Sequence, residues 1–153
     1  MKTLLSRMKA ALRADTLLMA YTSSEAIQVV APDTLPSVAT SLIPFIGIAP
    51  MGTSESWLAQ QKRAVHSVNL YVVQYMEYPE EAIMGDSVKR GLLEILEDVE
   101  RIVRGNQFSS EGVNYLAKPT DIVGVSYARG EMGDGIYAIV AVIALTCERL
   151  FLP

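Results

Sequence analysis

The densest apolar run of this chain lies near its end. Ile136 to Cys147 carries no charge and no helix or strand breaker. One alternate set is Tyr137, Ile139, Ala141, Ile143, Leu145 and Cys147; the other is Ile136, Ala138, Val140, Val142, Ala144 and Thr146. A strand sends successive side chains to opposite faces, so both faces of this one are apolar and both need a cover. Lys62 to Glu77 predicts a second strand. His66, Val68, Leu70, Val72 and Met76 share one face, interrupted by Gln74, and Ser67, Asn69, Tyr71, Val73 and Tyr75 share the other. Asp121 to Arg129 predicts a third, with Ile122, Gly124, Ser126 and Ala128 against Val123, Val125 and Tyr127. The glycine-rich turn at 130–135 joins it to the apolar strand as a hairpin.

Two segments carry the helical period instead. Leu4, Leu5, Met8, Ala11, Leu12 and Asp15 form one stripe over Thr3 to Leu18, apolar except at its end. Val88, Leu92, Ile95, Leu96, Val99, Ile102 and Val103 form an unbroken stripe over Ser87 to Arg104. Asp86 or Ser87 is placed to cap that helix and Gly105-Asn106 to stop it. Glu97 with Arg101 and Glu100 with Arg104 are favourable i, i+4 pairs. Between the two helices, Ala26 to Ala31 and Ile43 to Ala49 predict short proline-bounded strands, and Met51 to Gln61 predicts a polar loop. The fold class that follows is α+β over residues 1–153 as one domain: a mainly antiparallel sheet, one long helix on a face, and an N-terminal helix.

Composition narrows this little. Half of the 153 residues are hydrophobic, a fifth are charged and the formal net charge is -4, with no cluster of Lys and Arg. Groove-binding of nucleic acid, which needs a basic patch against the phosphates, is not expected. One cysteine excludes an internal disulfide and suits a reducing compartment. Prolines 36, 44 and 50 break the long uncharged run at 34–54, the final apolar strand is too short to cross a bilayer as a helix, and no signal-like segment starts the chain. A soluble protein with apolar surface for protein partners is expected.

Candidate chemistry is sparse. His66 is the only histidine and reads as the polar start of a core face, and Cys147 as a buried thiol. Together they cannot complete a tetrahedral zinc site. The glycine turn has the wrong order for a dinucleotide fingerprint, and Glu131 and Asp134 would repel phosphate. Glu80 with Glu81, and Glu97 with Asp98, are adjacent and do not face each other as an acid–base pair would. No catalytic, cofactor or metal residue is assigned.

The proline-bounded strand Ile43-Pro44-Phe45-Ile46-Gly47-Ile48-Ala49-Pro50, the basic-start strand from Gln61 to Val72, the covering helix from Leu92 to Val103, and Pro119-Thr120-Asp121-Ile122 with the glycine turn and final strand resemble the tail terminator family of tailed bacteriophages, also called minor tail protein U-like or tail completion proteins. The connection from Asn106 to Pro119 and the end at Phe151-Leu152 lie outside the resemblance. The resemblance implies a virion protein, made in the host cytoplasm, that forms a ring of copies, commonly six, on the head-proximal end of the tail tube. It implies tail tube and neck proteins as partners, and a channel through which DNA passes without sequence-specific binding. It implies no enzyme activity, no cofactor and no membrane. Other head–tail neck components share this element order, and a small α+β enzyme or binding module with an unrecognised site is a further alternative.

The residues expected to meet a neighbouring subunit or partner are Tyr71, Val73 and Tyr75 on the tyrosine face, Val140, Ala141 and Val142 in the doubly apolar strand, and Phe151 and Leu152 at the end. An ordinary second-layer packing role stands beside this for the tyrosine face.

Overall fold

The computed structural model describes residues 1–32, 40–58, 60–76, 78–86, 88–109, 113–131 and 137–151. Helices α1 (Lys2–Ala14) and α2 (Thr16–Met19) precede a short strand β1 (Ile27–Val29) and the hairpin of β2 (Phe45–Leu58) and β3 (Gln61–Met76). Helices α3 (Pro79–Met84) and α4 (Leu92–Val103) follow, then β4 (Asp121–Glu131) and β5 (Tyr137–Phe151). The strands form one sheet in the order β1-β2-β3-β5-β4, antiparallel except where β1 runs parallel to β2. This is the α+β architecture expected, with 62–76, 121–129 and 137–147 in one sheet, residues 77 and 136 lying outside the described residues.

β3 and β5 are the centre. They pair without a break from Lys62 opposite Phe151 to Met76 opposite Tyr137. One face of the sheet presents Ile46, Ile48, Val68, Leu70, Val72, Ala141, Ile143, Leu145 and Cys147 to the helices. Leu4, Leu5, Met8 and Leu12 of α1 and Leu92, Ile95, Leu96, Val99, Ile102 and Val103 of α4 close over it. Each such aliphatic side chain taken from water contributes about 1.5–3 kcal/mol, so this layer dominates the stability.

The structure moves several boundaries, each for a local reason. The first helix stops at Ala14 because Asp15 turns to extended backbone and its carboxylate accepts from the Leu18 amide at 2.9 Å, capping α2 instead. The main helix starts at Leu92; the expected start at Ser87 lies outside the described residues. The Asp86 carboxylate accepts from the amides of Val88 and Lys89, both at 2.6 Å, and the tight turn so formed competes with helix. Val88 therefore leaves the apolar stripe and is 88% exposed. Glu94 reaches back to the Gly91 amide and supplies the helix start. Gly91 is buried against the preceding turn: a Cβ there would lie 2.2 Å from the Gly85 nitrogen. At the other end Gly105, with φ +71°, ends α4 as expected, its amide donating to the Thr120 carbonyl. Glu100 and Arg104 pair at 2.8 Å as expected, whereas Arg101 turns to Asp15 and Asp98 rather than to Glu97.

Two further corrections concern the sheet. Of the expected polar loop over residues 51–61, residues 51–58 are the outer half of β2 and Gln61 is the start of β3. It read as a loop because both of its faces meet water, so no apolar alternation marks it. The alternate sets of β4 are also mixed: a bulge between Ile122 and Gly124 puts Ile122, Val125, Tyr127 and Arg129 on the helix-side face. The glycine turn at 130–135 falls mostly outside the described residues; Gly130 and Glu131 belong to β4.

Candidate functional site

The surfaces of interest are the sheet face away from the helices and the two sheet edges. On that face Tyr71 and Val73 of β3 and Ala138 and Val140 of β5 form a second apolar cluster with Ala26, Phe45 and Ala49. Val30, Leu42, Ile43 and Val142 pack against it. The chain thus brings Tyr71, Val73, Val140 and Val142 together, but it covers them largely itself. Val140 is 2% exposed. Ala26, Val30, Leu42 and Ile43 supply, among the described residues, the second cover of the doubly apolar strand that a neighbouring subunit was expected to supply. Nothing in the sequence periodicity announced this, because Ala26, Val30, Leu42 and Ile43 sit in short irregular pieces around prolines.

Ala141 does not belong with the others. It faces the helices, is 0% exposed and lies in the main core, which removes it as a surface residue of the folded chain. Tyr75 is half-buried at the end of β3 beside an open groove, lined also by Tyr21, Pro44, Gln74, Tyr78 and Arg90. Gln74 is buried there and satisfied: its amide donates to the Arg90 carbonyl at 2.6 Å and its side-chain oxygen accepts from the Tyr75 amide. Phe151 is at the opposite end of β5, half-buried, with the Arg149 guanidinium 4.5 Å and the Lys62 ammonium 5.9 Å from its ring centre. Leu152 lies outside the described residues.

Past the second cluster the same face becomes small and polar. Gly52, Ser54 and Ser67 on one side of the centre, and Gly124, Ser126 and Ala128 on the other, are exposed. Large exposed apolar side chains that sequence reasoning did not single out include Trp57 on β2, 73% exposed, and Val123 and Tyr127 on β4; others, such as Leu17, Tyr78 and Met84, lie on or beside the helices.

His66 and Cys147 stand opposite each other across β3 and β5, on the core face. The imidazole Nδ1 shares a 2.8 Å hydrogen bond with the Thr53 hydroxyl, and Nε2 is buried with no hydrogen-bond partner. Burial first, then the N-terminal ammonium and Arg149, lower the His66 pKa. Burial pushes the Cys147 thiol up to about 11. Both groups are held neutral, the reverse of the thiolate and imidazolium of a nucleophilic pair. Among the described residues no group of three or more His, Cys, Asp and Glu is placed to hold a metal ion. No helix among them is long and apolar enough to cross a membrane.

The chain is therefore an α+β protein with its helices on one face of a five-stranded sheet and two open sheet edges among its described residues. No family model matches it, and no curated protein matches it. Among solved structures, its fold is similar to a chain in the virion of a native gene transfer agent particle, with a TM-score of 0.60 and 18% sequence identity, over 95% of this chain and 94% of that one.

Proposed function

We propose that this chain is a virion structural protein that assembles as a closed ring of copies, six in the simplest case, at the head-proximal end of a tail tube. There it ends tube polymerisation and joins the tube to the neck, with DNA passing through the channel without sequence-specific contacts. It works without a cofactor and without catalysis. The observation that carries this reading is the end-to-end likeness of fold to a virion chain, covering nearly the whole of both chains. The element pattern that resembles that of tail terminators points the same way. So does the placement of the large exposed side chains Trp57 and Tyr127 on edge strands, where another chain can add to the sheet. Like contacts repeated head to tail close a ring when the rotation permits.

Native mass spectrometry of the purified protein tests the assembly; a ring mass is expected, and a strict monomer at every concentration refutes it. Electron microscopy of particles made without the protein tests the role. Tails of uncontrolled length, or heads and tails left unjoined, are expected. Unjoined parts with tails of normal length identify a neck component instead, and normal joined particles refute the reading.

A further inference from the structure

β1 covers one side of β2 only at residues 46–48, and the Val30 amide adds one bond to the Ile48 carbonyl. Beyond Pro50, among the described residues, β2 has β3 on one side and no strand on the other. β4 likewise has β5 on one side and no strand on the other. A long open edge is a template for another strand, and soluble proteins normally blunt it with charged side chains, Lys above all, with Pro, with bulges or with a short length. Here the two bulges, between Pro50 and Gly52 and between Ile122 and Gly124, precede residues 53 and 126. Residues 53–58 read Thr-Ser-Glu-Ser-Trp-Leu and 126–131 read Ser-Tyr-Ala-Arg-Gly-Glu, with no proline and no lysine.

These two edges suit each other. Each step from β2 to β3, from β3 to β5 and from β5 to β4 reverses direction, so β2 and β4 run oppositely. A second copy set beside the first in the same orientation therefore lays its β4 antiparallel to the open half of β2, with the helix-side faces continuous. On that face β2 presents Glu55 and Trp57, and β4 presents Tyr127 and Arg129. Antiparallel partners step in opposite senses, so the register that sets Trp57 opposite Tyr127 also sets Glu55 opposite Arg129. An aromatic pair and an opposite-charge pair, both exposed in the single chain, are matched by one register.

We infer that the subunit contact is edge-to-edge strand addition, with residues 53–58 of one copy paired antiparallel to residues 126–131 of the next, Trp57 on Tyr127 and Glu55 on Arg129. The contact names the interface of the ring proposed above and rests on that reading. It is heterologous, using a different edge on each side, as ring closure requires. Glu55 shares its present partner Lys62, at 2.7 Å, and Arg129 keeps its stacking on Tyr137, at 4.2 Å.

The same register sets Ser56 opposite Ala128 on the other face, where both are exposed and small. The test uses the full chain carrying Ser56→Cys and Ala128→Cys, treated with a short bismaleimide; Cys147 is buried and does not compete. A ladder of covalent oligomers is expected from the double variant, none from either single variant, and none from Ser56→Cys with Gly124→Cys, which stands four residues out of register. In native mass spectra, Glu55→Arg and Arg129→Glu should each shift the protein toward monomer, and the two together should restore the ring. A ring that forms with no cross-link and no effect of charge reversal overturns the edge contact and leaves the ring reading standing. A wild-type chain that never leaves the monomer overturns both.

Discussion

The second face of β5 decides whether the apolar strand is an assembly surface or an internal layer, and a single charge can read it. Val140→Asp puts a carboxylate into the second apolar cluster, and Ala141→Asp puts one under the helices. Among the described residues both sites sit in apolar clusters, and burial there keeps the group neutral when folded. An ordinary Asp titrates near 3.9, and holding it protonated at pH 7 costs about 1.36 kcal/mol for each of roughly three pH units, about 4 kcal/mol. The neutral carboxyl, left without hydrogen bonds, adds about 1–3 kcal/mol. The sum, about 5–7 kcal/mol, rivals the whole stability of a domain, about 5–15 kcal/mol. Ala141→Asp also overpacks a site that is fully buried, for about 1–3 kcal/mol more. Both variants should therefore unfold at far lower urea than wild type, as monomers and assemblies alike. The folded-state pKa of the new carboxyl is raised, so the deficit shrinks as pH falls toward 4, where the unfolded state takes up the proton too. Ser67→Asp, on the same face but exposed, should change stability by no more than about 0.5 kcal/mol. A Val140→Asp protein with a wild-type urea midpoint that merely fails to assemble would show that this face waits for a neighbour, and the account of an internal second layer would be wrong.

Leu96→Ala removes a side chain buried between α4 and the sheet and should cost about 2–5 kcal/mol in the same urea titration. Gly91→Ala drives a methyl against the backbone of residues 83–85 and should cost about 1–3 kcal/mol or more, whereas Gly52→Ala, whose methyl meets open space, should be nearly neutral. Equal midpoints for the two glycine variants would disprove the close approach. His66 has its folded-state pKa lowered below the usual 6.5, so the unfolded chain binds the proton first. The stability held by the neutral ring is complete above about pH 6.5 and is lost as pH falls from there through the lower folded-state pKa, and urea midpoints measured from pH 7.5 to 5 should show a slope that His66→Ala abolishes.

What the sequence made legible follows burial. The strands β3 and β5, though not their pairing, and the apolar face of α4 were readable because each has a dry side and a period to show it. The outer half of β2 was not, since a strand wet on both faces carries no period. The start of α4 was not, since a side-chain turn at Asp86 outbids helix locally. The candidate interface was half legible. Tyr71 and Val73 were read on a tyrosine face and Val140 in the doubly apolar strand, as separate candidates, whereas the chain joins them in one cluster and covers it with Ala26, Val30, Leu42 and Ile43. The side chains that now stand out lie on edge strands, and their faces were hidden by two bulges. One falls between Pro50 and Gly52, the other between Ile122 and Gly124. Each shifts the alternation by one residue. Without the first, Glu55 and Trp57 would point away from the helices; without the second, Tyr127 and Arg129 would. With both, the four share a face, and the register that pairs the aromatics pairs the charges as well. Alternation read along either strand alone misplaces the residues beyond its bulge, so this match becomes visible only when the sheet is assembled strand by strand.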